Sequence, residues 1–436
     1  MKMKITATGD SILSQGYKEG GYEGQKPLQD FIARGDAKFG NLEICITDWS
    51  AWGSTYCGGL WMSTTPDKLH QIVDYGFNFM GFANNHTMDY GPEGMRQTLE
   101  NTSKFDISVT GAGENLGKAS EPVYRDFEGG RVAFLALTSS LDDSARAGHG
   151  SQYVPGRPGV NPLRFSSHIT VTKEHFDILE KITQTTQVNG QRDFSRKNGF
   201  APALADNELD FAGTQVFLSE NGKEETITKC NKEDLERTCK AIRDAKAQQA
   251  DYVVVMIHTH QCDGWNVTHP AKFIQDFSHA CIDAGADLIV GGGTHEFKPI
   301  EMYKGKPIFY SLGNFIFQLR GLLHIPEEHR YVHNTHGRSD MESIAAQFKG
   351  WEKGLWVQKE CFWGIIPYFE YDDGKLTKVE MLPIDLGFEK GVQYKGLPYA
   401  ADENVAKQIF ESLKKLSASM GVNLIQREDG IIEMVL

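Results

Sequence analysis

The chain has 436 residues, of which 40% are hydrophobic and 24% are charged, a composition typical of ordered globular proteins. This length fits one large α/β domain or two smaller domains. The formal net charge of −13 disfavours binding to nucleic acid or to an anionic membrane, so we expect neither as a partner.

Cysteine content and the first residues bear on the cellular compartment. Seven scattered cysteines form no CxxC pair, which argues against a disulfide framework and favours reduced thiols. The N-terminus, MKMKITATGD, lacks the long apolar core of a signal peptide, and no later stretch reaches the roughly 18–20 apolar residues of a membrane span. We therefore expect a cytoplasmic protein without stable membrane insertion.

Short apolar runs alternate with helical patterns in the first 300 residues, which predicts an α/β sheet protein. The predicted strands are residues 4–8, 77–83, 131–138, 252–257 and 287–290. The predicted helices are residues 65–75, 92–104, 232–249 and 271–284. In the last helix Phe273, Phe277 and Cys281 recur every four residues, so we expect them to form a buried stripe.

Other segments depart from this alternation. Residues 141–228 are polar and predict a loop-rich insertion into a main domain of residues 1–390. Later residues predict β-hairpins that turn at Lys304-Gly305-Lys306 and at Asp372-Asp373-Gly374. A helix over residues 401–420 is expected within a C-terminal helical extension of residues 391–436.

Polar side chains suited to chemistry follow the apolar runs. Ligands of α/β sheets bind beyond the carboxyl ends of the strands, so these loops are expected to converge on one site. The side chains are Asp10, Asn41, Glu43, Asn85, His86, His258, His260 and His295.

Each of these residues has an ordinary structural explanation when taken alone. Asp10 could cap a helix, Asn85 could form a side-chain turn, and a lone histidine after a strand is more often structural than a ligand. The three glycines of VGGGTHEF could serve only positive φ angles, and they lack the GxGxxG spacing of a phosphate loop.

Taken together, however, the residues form the mixed oxygen and nitrogen set that Zn²⁺, Mn²⁺ or Fe²⁺ accepts. Such a site would polarise a carbonyl or phosphoryl oxygen and activate water near neutral pH. The predicted metal ligands are Asp10, Glu43, Asn85, His258 and His295.

Further polar residues carry weaker expectations. Arg157 and Arg164 in the insertion could bind a substrate carboxylate through the guanidinium fork, or could simply face solvent. The histidines from His324 to His336 predict a mobile loop near the mouth of the site. Cys45, Cys57 and Cys262 could act as nucleophiles only beside a base that lowers their pKa.

Five stretches together resemble the CapA family of poly-γ-glutamate capsule synthesis proteins, whose domain resembles calcineurin-type metallophosphatases. They are ATGDSIL, GNLEICITD, GFANNHTMDYG, VVVMIHTH and DAGADLIVGGGTHEFKPIEMYKGKPIFYSLGNFIF, within residues 3–317. The resemblance implies a two-sheet α/β/β/α sandwich flanked by helices and a divalent metal held by the five predicted ligands. It also implies that His86 is a general acid and that Asn41 and Asn314 support the ligands or contact the substrate.

The sequence departs from the family pattern at two points. Gly293 stands where the family usually has an imidazole, which places the expected metal in doubt, and the glutamate of a usual HWGxE pattern is absent after His258. His260 could compensate for the lost ligand. Family members are also commonly exported or membrane-anchored, and we see no such signal in this chain.

Three functions remain open at this point. The first is a metal-dependent hydrolase or transferase acting on an amide or phosphoryl bond of a peptide or a poly-γ-glutamate-like polymer. The second is a metal-independent peptide epimerase, like relatives from lasso-peptide biosynthesis, that uses Asp10, His86, His295 or Cys45 as acid and base. The third is a non-catalytic capsule-assembly protein.

Overall fold

A computed structural model describes residues 2–436, and its centre is a ten-stranded sheet, the large sheet. The central strand, Lys2–Ile12, pairs in parallel with Ala37–Leu42 and Asn314–Phe317 and antiparallel with Trp363–Asp372. In chain order, the strands of the large sheet are Lys2–Ile12, Ala37–Leu42, Phe79–Gly81, Ser108–Thr110, Asn314–Phe317, Trp363–Asp372, Lys375–Asp385, Tyr399–Ala400, Leu424–Gln426 and Ile432–Met434.

A six-stranded second sheet stacks on the large sheet. Its inner strands Gly130–Thr138, Tyr252–Thr259 and Leu288–Gly293 run parallel and are almost completely buried, as expected for apolar strands covered on both faces. In chain order, the strands of the second sheet are Val123–Phe127, Gly130–Thr138, Tyr252–Thr259, Leu288–Gly293, Ile300–Tyr303 and Lys306–Phe309.

Three apolar layers hold the sheets and helices together. Between the sheets, the rings of Phe39 and Phe79 stack at 4.8 Å, and Phe134 of the second sheet lies 4.9 Å from Phe39. Helices cover both outer faces, Gln25–Ile32, His70–Val73 and Gly91–Thr102 on the large sheet and Lys232–Ala247 and Lys272–Ala284 on the second. The molecule is therefore the α/β/β/α sandwich that the resemblance implies.

Most locally encoded predictions are confirmed. Phe273, Phe277 and Cys281 are fully buried on one stripe of their helix. Both hairpins turn where predicted, with left-handed backbone at Lys304-Gly305 and at Asp373-Gly374. Within the predicted helix of residues 65–75, the α-helix covers only His70–Val73, and a 3₁₀ turn precedes it.

The insertion is more ordered than its polar sequence predicts. Instead of being loop-rich, it contains helices Lys173–Thr186 and Gly190–Lys197 and a four-stranded sheet. The core of this sheet is small, with Val171, Leu209 and Val216 as its buried residues, so the sequence shows little apolar periodicity. The strands of this sheet are Phe165–Val171, Glu208–Phe211, Thr214–Leu218 and Glu225–Cys230.

The C-terminal segment also differs from the predicted helical extension. Helix Glu403–Ala418 is present, but its residues Ile409 and Leu413 pack into the core between the sheets. The strands of residues 399–434 then extend the edge of the large sheet. The segment is thus an integral part of the sandwich.

Short elements complete the described chain, and within residues 2–436 no helix combines the length and the apolar character needed to cross a membrane. The remaining strands are Cys45–Ile46, Ser63–Thr64, Ala112–Gly113, Gly159–Val160, Cys262–Asp263 and Asn266–Pro270. The remaining helices are Leu116–Ala119, Glu327–His333 and Asp340–Gln347, with 3₁₀ turns at Pro66–Lys68, Asp143–Ala145, Leu355–Val357 and Lys359–Phe362.

The aromatic contact between the sheets should carry much of the stability. We expect Phe79→Ala to lower the free energy of unfolding by about 3–5 kcal/mol, because it removes a fully buried ring from a packed core. Urea unfolding followed by tryptophan fluorescence measures this change. The control Phe200→Ala removes an 81% exposed ring and should change stability by less than about 0.5 kcal/mol. Equal midpoints for the two variants would contradict the packing described.

Candidate metal centre

The predicted site residues lie together at one end of the sandwich. In the large sheet Asp10 is in register with both Asn41 and Asn314, and in the second sheet His258 is in register with Gly292. The strands that carry them run parallel, so their carboxyl ends open on the same edge. The loops therefore converge as the sequence predicts.

The carboxylate of Asp10 is buried and accepts a hydrogen bond on each of its oxygens. Its Oδ1 accepts a hydrogen bond from Asn41 Nδ2 at 2.7 Å, and its Oδ2 accepts one from the Gly293 amide at 2.8 Å. His258 Nδ1 lies 3.6 Å from Oδ1. Burial acts to raise the pKa of Asp10, but the hydrogen bond and charge of His258 outweigh it and lower the pKa to about 2. Asp10 is therefore ionised at neutral pH.

Several buried polar atoms at the site have no hydrogen-bond partner among the described residues. Both carboxylate oxygens of Glu43 are in this state, as are His258 Nε2 and Asn85 Oδ1. Burial, with the nearby charges of Asp10 and Asp89, raises the pKa of Glu43 well above its usual range. Burial of such atoms without hydrogen bonds is costly, and a bound cation would satisfy the Glu43 carboxylate together with His258 Nε2, which lies 3.4 Å from Glu43 Oε1.

The ligand atoms form two overlapping groups. Asp10, Glu43 and His295 make one group, and Glu43, His258 and His260 make the other, each with its ligand atoms within 4.8 Å of one another. Glu43 belongs to both groups, which is the position of a carboxylate that bridges two cations. The oxygen and nitrogen donors fit Mn²⁺, Zn²⁺ or Fe²⁺.

Hydrogen bonding and burial favour the neutral tautomer of His295 whose Nε2 can coordinate a metal. Its backbone is left-handed, with φ of +60°, and its Nδ1 donates to Asn314 Oδ1 at 2.8 Å. This contact leaves Nε2 with a free lone pair, and burial lowers the pKa of His295, which favours the neutral ring.

Two of the predicted site residues support the ligands. Asn314 is fully buried and also donates to the Cys361 carbonyl at 2.8 Å. Asn41 donates to Asp10 and accepts from Asn84 Nδ2 at 3.2 Å. These contacts fit the supporting role that the resemblance implies for Asn41 and Asn314, and a substrate contact at either residue stays a prediction.

Beside the ligands, His86 forms a pair with Asp89 that the sequence prediction missed. His86 Nδ1 lies 2.6 Å from Asp89 Oδ2, and this oxygen also accepts from the Met62 amide at 2.7 Å. The carboxylate thus orients the ring and leaves Nε2 for proton transfer. The sequence HTMD, in which Asp89 follows His86 by three residues, could have predicted this pair.

The backbone at Gly293 excludes the imidazole usual in the family. Its φ is +111°, and a Cβ there would lie 2.8 Å from the backbone N and O of Thr259. His260, the next residue along the neighbouring strand, is exposed, and its ring centre lies 5.2 Å from that of His258. His260 is therefore placed to supply the missing nitrogen.

Arg164 does not match its predicted substrate role. Its guanidinium binds the buried Asp234 at 2.8 and 2.9 Å and reaches Glu233 at 3.1 Å, so its charge is already neutralised. Arg157 is different, because it lines a cleft of about 170 Å³ together with Asn85.

Neither the histidine tract nor the cysteines Cys45 and Cys57 have the features expected from the sequence. His329 to His333 belong to a helix rather than a loop, and His329 Nε2 contacts Gln347 Oε1 at 2.9 Å. Burial raises the pKa of the Cys45 thiol far above its ordinary value and that of Cys57 to about 12. Neither thiol is activated as a nucleophile.

With this geometry established, comparison with known proteins identifies the family. The model for the bacterial capsule synthesis protein PGA_cap matches residues 4–319. The chain belongs to the PGA_cap family. An uncharacterised Sinorhizobium fredii member, y4uA, is 30% identical over 99% of this chain and 93% of its own length.

Capsule biosynthesis protein CapA of Bacillus anthracis is 25% identical over 72% of this chain and 60% of its own length. Among solved structures, a candidate 5′-nucleotidase from Staphylococcus aureus in complex with alpha-ketoglutarate matches with a TM-score of 0.40 and 11% identity. That match covers 95% of this chain and 59% of the other.

If Glu43 bridges two cations, its loss should affect both. We expect the PGA_cap chain to retain about two Mn²⁺ ions after gel filtration, and Glu43→Gln to retain fewer than one. Elemental analysis measures the ions, and Mn²⁺ should raise the melting temperature of the parent chain but not that of Glu43→Gln. Glu128→Gln, at an exposed carboxylate, is the control. Full metal content in Glu43→Gln would contradict the bridging position.

His260 should matter for one ion of the pair. Because His260 shares a ligand group with Glu43 and His258 only, His260→Ala is expected to reduce the Mn²⁺ content from about two ions to about one. Elemental analysis and calorimetric titration provide the measurement, with the exposed His70→Ala as the control. An unchanged titration curve would exclude His260 from the ligand set.

Proposed function

We propose that this PGA_cap protein is a metal-dependent hydrolase or transferase that acts on an amide bond of a glutamate-rich peptide or polymer. The observation that carries the proposal is the buried Glu43 carboxylate and His258 Nε2, which make no hydrogen bond and lie among the grouped ligand atoms. A fold retains such costly groups where a ligand satisfies them.

The substrate class rests on the relatives. The Bacillus subtilis protein that matches 59% of this chain at 26% identity is described as a PGA biosynthesis protein, and the PGA_cap family is described as capsule synthesis proteins. A polymer of this kind carries an amide and a carboxylate in every repeat. A phosphoryl bond is the alternative target of the same kind of centre.

The residues divide into ligands and proton carriers. Asp10, Glu43 and His295 would hold one cation, and Glu43, His258 and His260 would hold the other. We propose Asn85 as a further oxygen ligand of this centre. Bound cations supply polarisation of the carbonyl oxygen and activation of water. His86, oriented by Asp89, then donates a proton from Nε2 to the departing amine.

A peptide epimerase is the second candidate, and the closed backbone at Gly293 favours it because a usual family ligand cannot be present there. In such an enzyme His86 and His295 would exchange a proton at a substrate Cα. Incubation of glutamate peptides in deuterium oxide with chelator distinguishes the two, since epimerisation incorporates deuterium at Cα without cleavage.

The hydrolase is tested with Mn²⁺-loaded protein and an oligo-γ-glutamate, with amine release measured by chromatography and mass spectrometry. We expect chelator to abolish turnover and His86→Gln to lower kcat by roughly 10²–10⁴-fold with unchanged metal content, because only proton donation is lost. His70→Gln is the control.

Two outcomes would reject this assignment. Turnover that persists in chelator would contradict a metal-dependent reaction. Unchanged activity and phenotype in Asp10→Ala and His295→Ala would instead support a non-catalytic role in capsule assembly.

A further inference from the structure

A second cavity of about 620 Å³ lies next to the cleft that contains Asn85. Five cationic side chains line it, four of them arginines, together with the carboxylates of Glu233 and Glu236. We call it the arginine groove. Its charged lining residues are Arg146, Arg157, Arg164, Arg237, Lys240, Glu233 and Glu236, with His149 beside them.

Most of these cations already have protein partners. Arg164 and Arg237 share the buried carboxylate of Asp234, which builds the wall of the groove. Arg146 lies 3.3 Å from Asp143, and Lys240 pairs with Asp244. These four cations therefore have limited free charge.

Arg157 is the exception. It is exposed, and among residues 2–436 no carboxylate lies within ion-pair distance of its guanidinium, whose Nε donates to the Arg146 carbonyl at 2.8 Å. It lines both the groove and the cleft that holds Asn85, so it stands between them. The single backbone contact fixes the side chain and leaves its remaining N–H groups for a ligand.

We propose that the arginine groove holds an extended glutamate-rich chain, with Arg157 binding one of its carboxylates at the junction with the cleft that contains Asn85. This inference rests on the proposed function for the identity of the polymer, but it concerns binding rather than turnover. A guanidinium fork matches a carboxylate in two parallel hydrogen bonds, and Arg157 is the one lining cation without a carboxylate partner among residues 2–436.

The test measures binding without catalysis. A fluorescein-labelled oligo-γ-glutamate is titrated with full-length protein in chelator, and anisotropy gives the Kd. We expect binding that weakens as NaCl rises from about 50 to about 500 mM, and a Kd about tenfold higher for Arg157→Gln. An oligo-glutamine of the same length should not bind, because it lacks the charge.

The matched control is Arg243→Gln, which removes an exposed arginine from the same protein outside the groove. Equal affinity of the two variants, with unchanged melting temperatures, would overturn the proposal. Tighter binding of inorganic polyphosphate than of oligo-γ-glutamate would also overturn it, by assigning the groove to phosphate.

The binding experiment tests the groove even if the protein proves to be neither a hydrolase nor a transferase. Loss of affinity in Arg157→Gln alone supports the groove whether or not the Mn²⁺-loaded protein cleaves the oligomer. If cleavage does occur, Arg157→Gln should raise KM with little change in kcat, because a contact made equally in substrate and transition state is lost.

Discussion

The carboxylate of Asp10 joins the two sheets at the end of the sandwich where the site lies. One oxygen is bound by Asn41 of the large sheet and the other by the Gly293 amide of the second sheet. The separation of the two strand ends is thereby fixed, and with it the distances between Glu43, His258 and the remaining ligands. A buried anion is tolerated at this junction because donors from both sheets stabilise it.

Around this junction the protein concentrates polar groups that a purely structural core would avoid. Glu43 is fully buried, and its carboxylate makes no hydrogen bond. Asn314 contacts the ring of His295 and Asp89 contacts the ring of His86, and each contact orients the imidazole. The apolar layers on either side offset the free-energy cost of burying these polar groups. Asp10 and His258 lie within strands, and Glu43, His260 and His295 lie within two residues of a strand end, which favours a preformed centre.

The sequence predicts those parts of the molecule that depend on local pattern. Asp10, His258 and His295 follow apolar strands, and strand ends in such a sheet meet at one edge, so their convergence could be anticipated. Arg164 could not be interpreted in this way, because its partner Asp234 is 70 residues away in the chain. The ordered structure of the insertion could not be predicted for a related reason. Its core contains only three buried residues, which leave almost no periodic pattern of apolar residues in the sequence. The C-terminal strands were not predicted either, because they are only two or three residues long and are stabilised by pairing with the edge of the large sheet.

The closed backbone at Gly293 limits how this lineage can change. A histidine introduced there would force apart two bonded strands, since Thr259 occupies the space of its Cβ. Replacing Gly293 alone therefore does not restore the usual family pattern. A further ligand is accommodated more easily at His260 and in the loop beyond it, where a new side chain meets solvent instead of backbone.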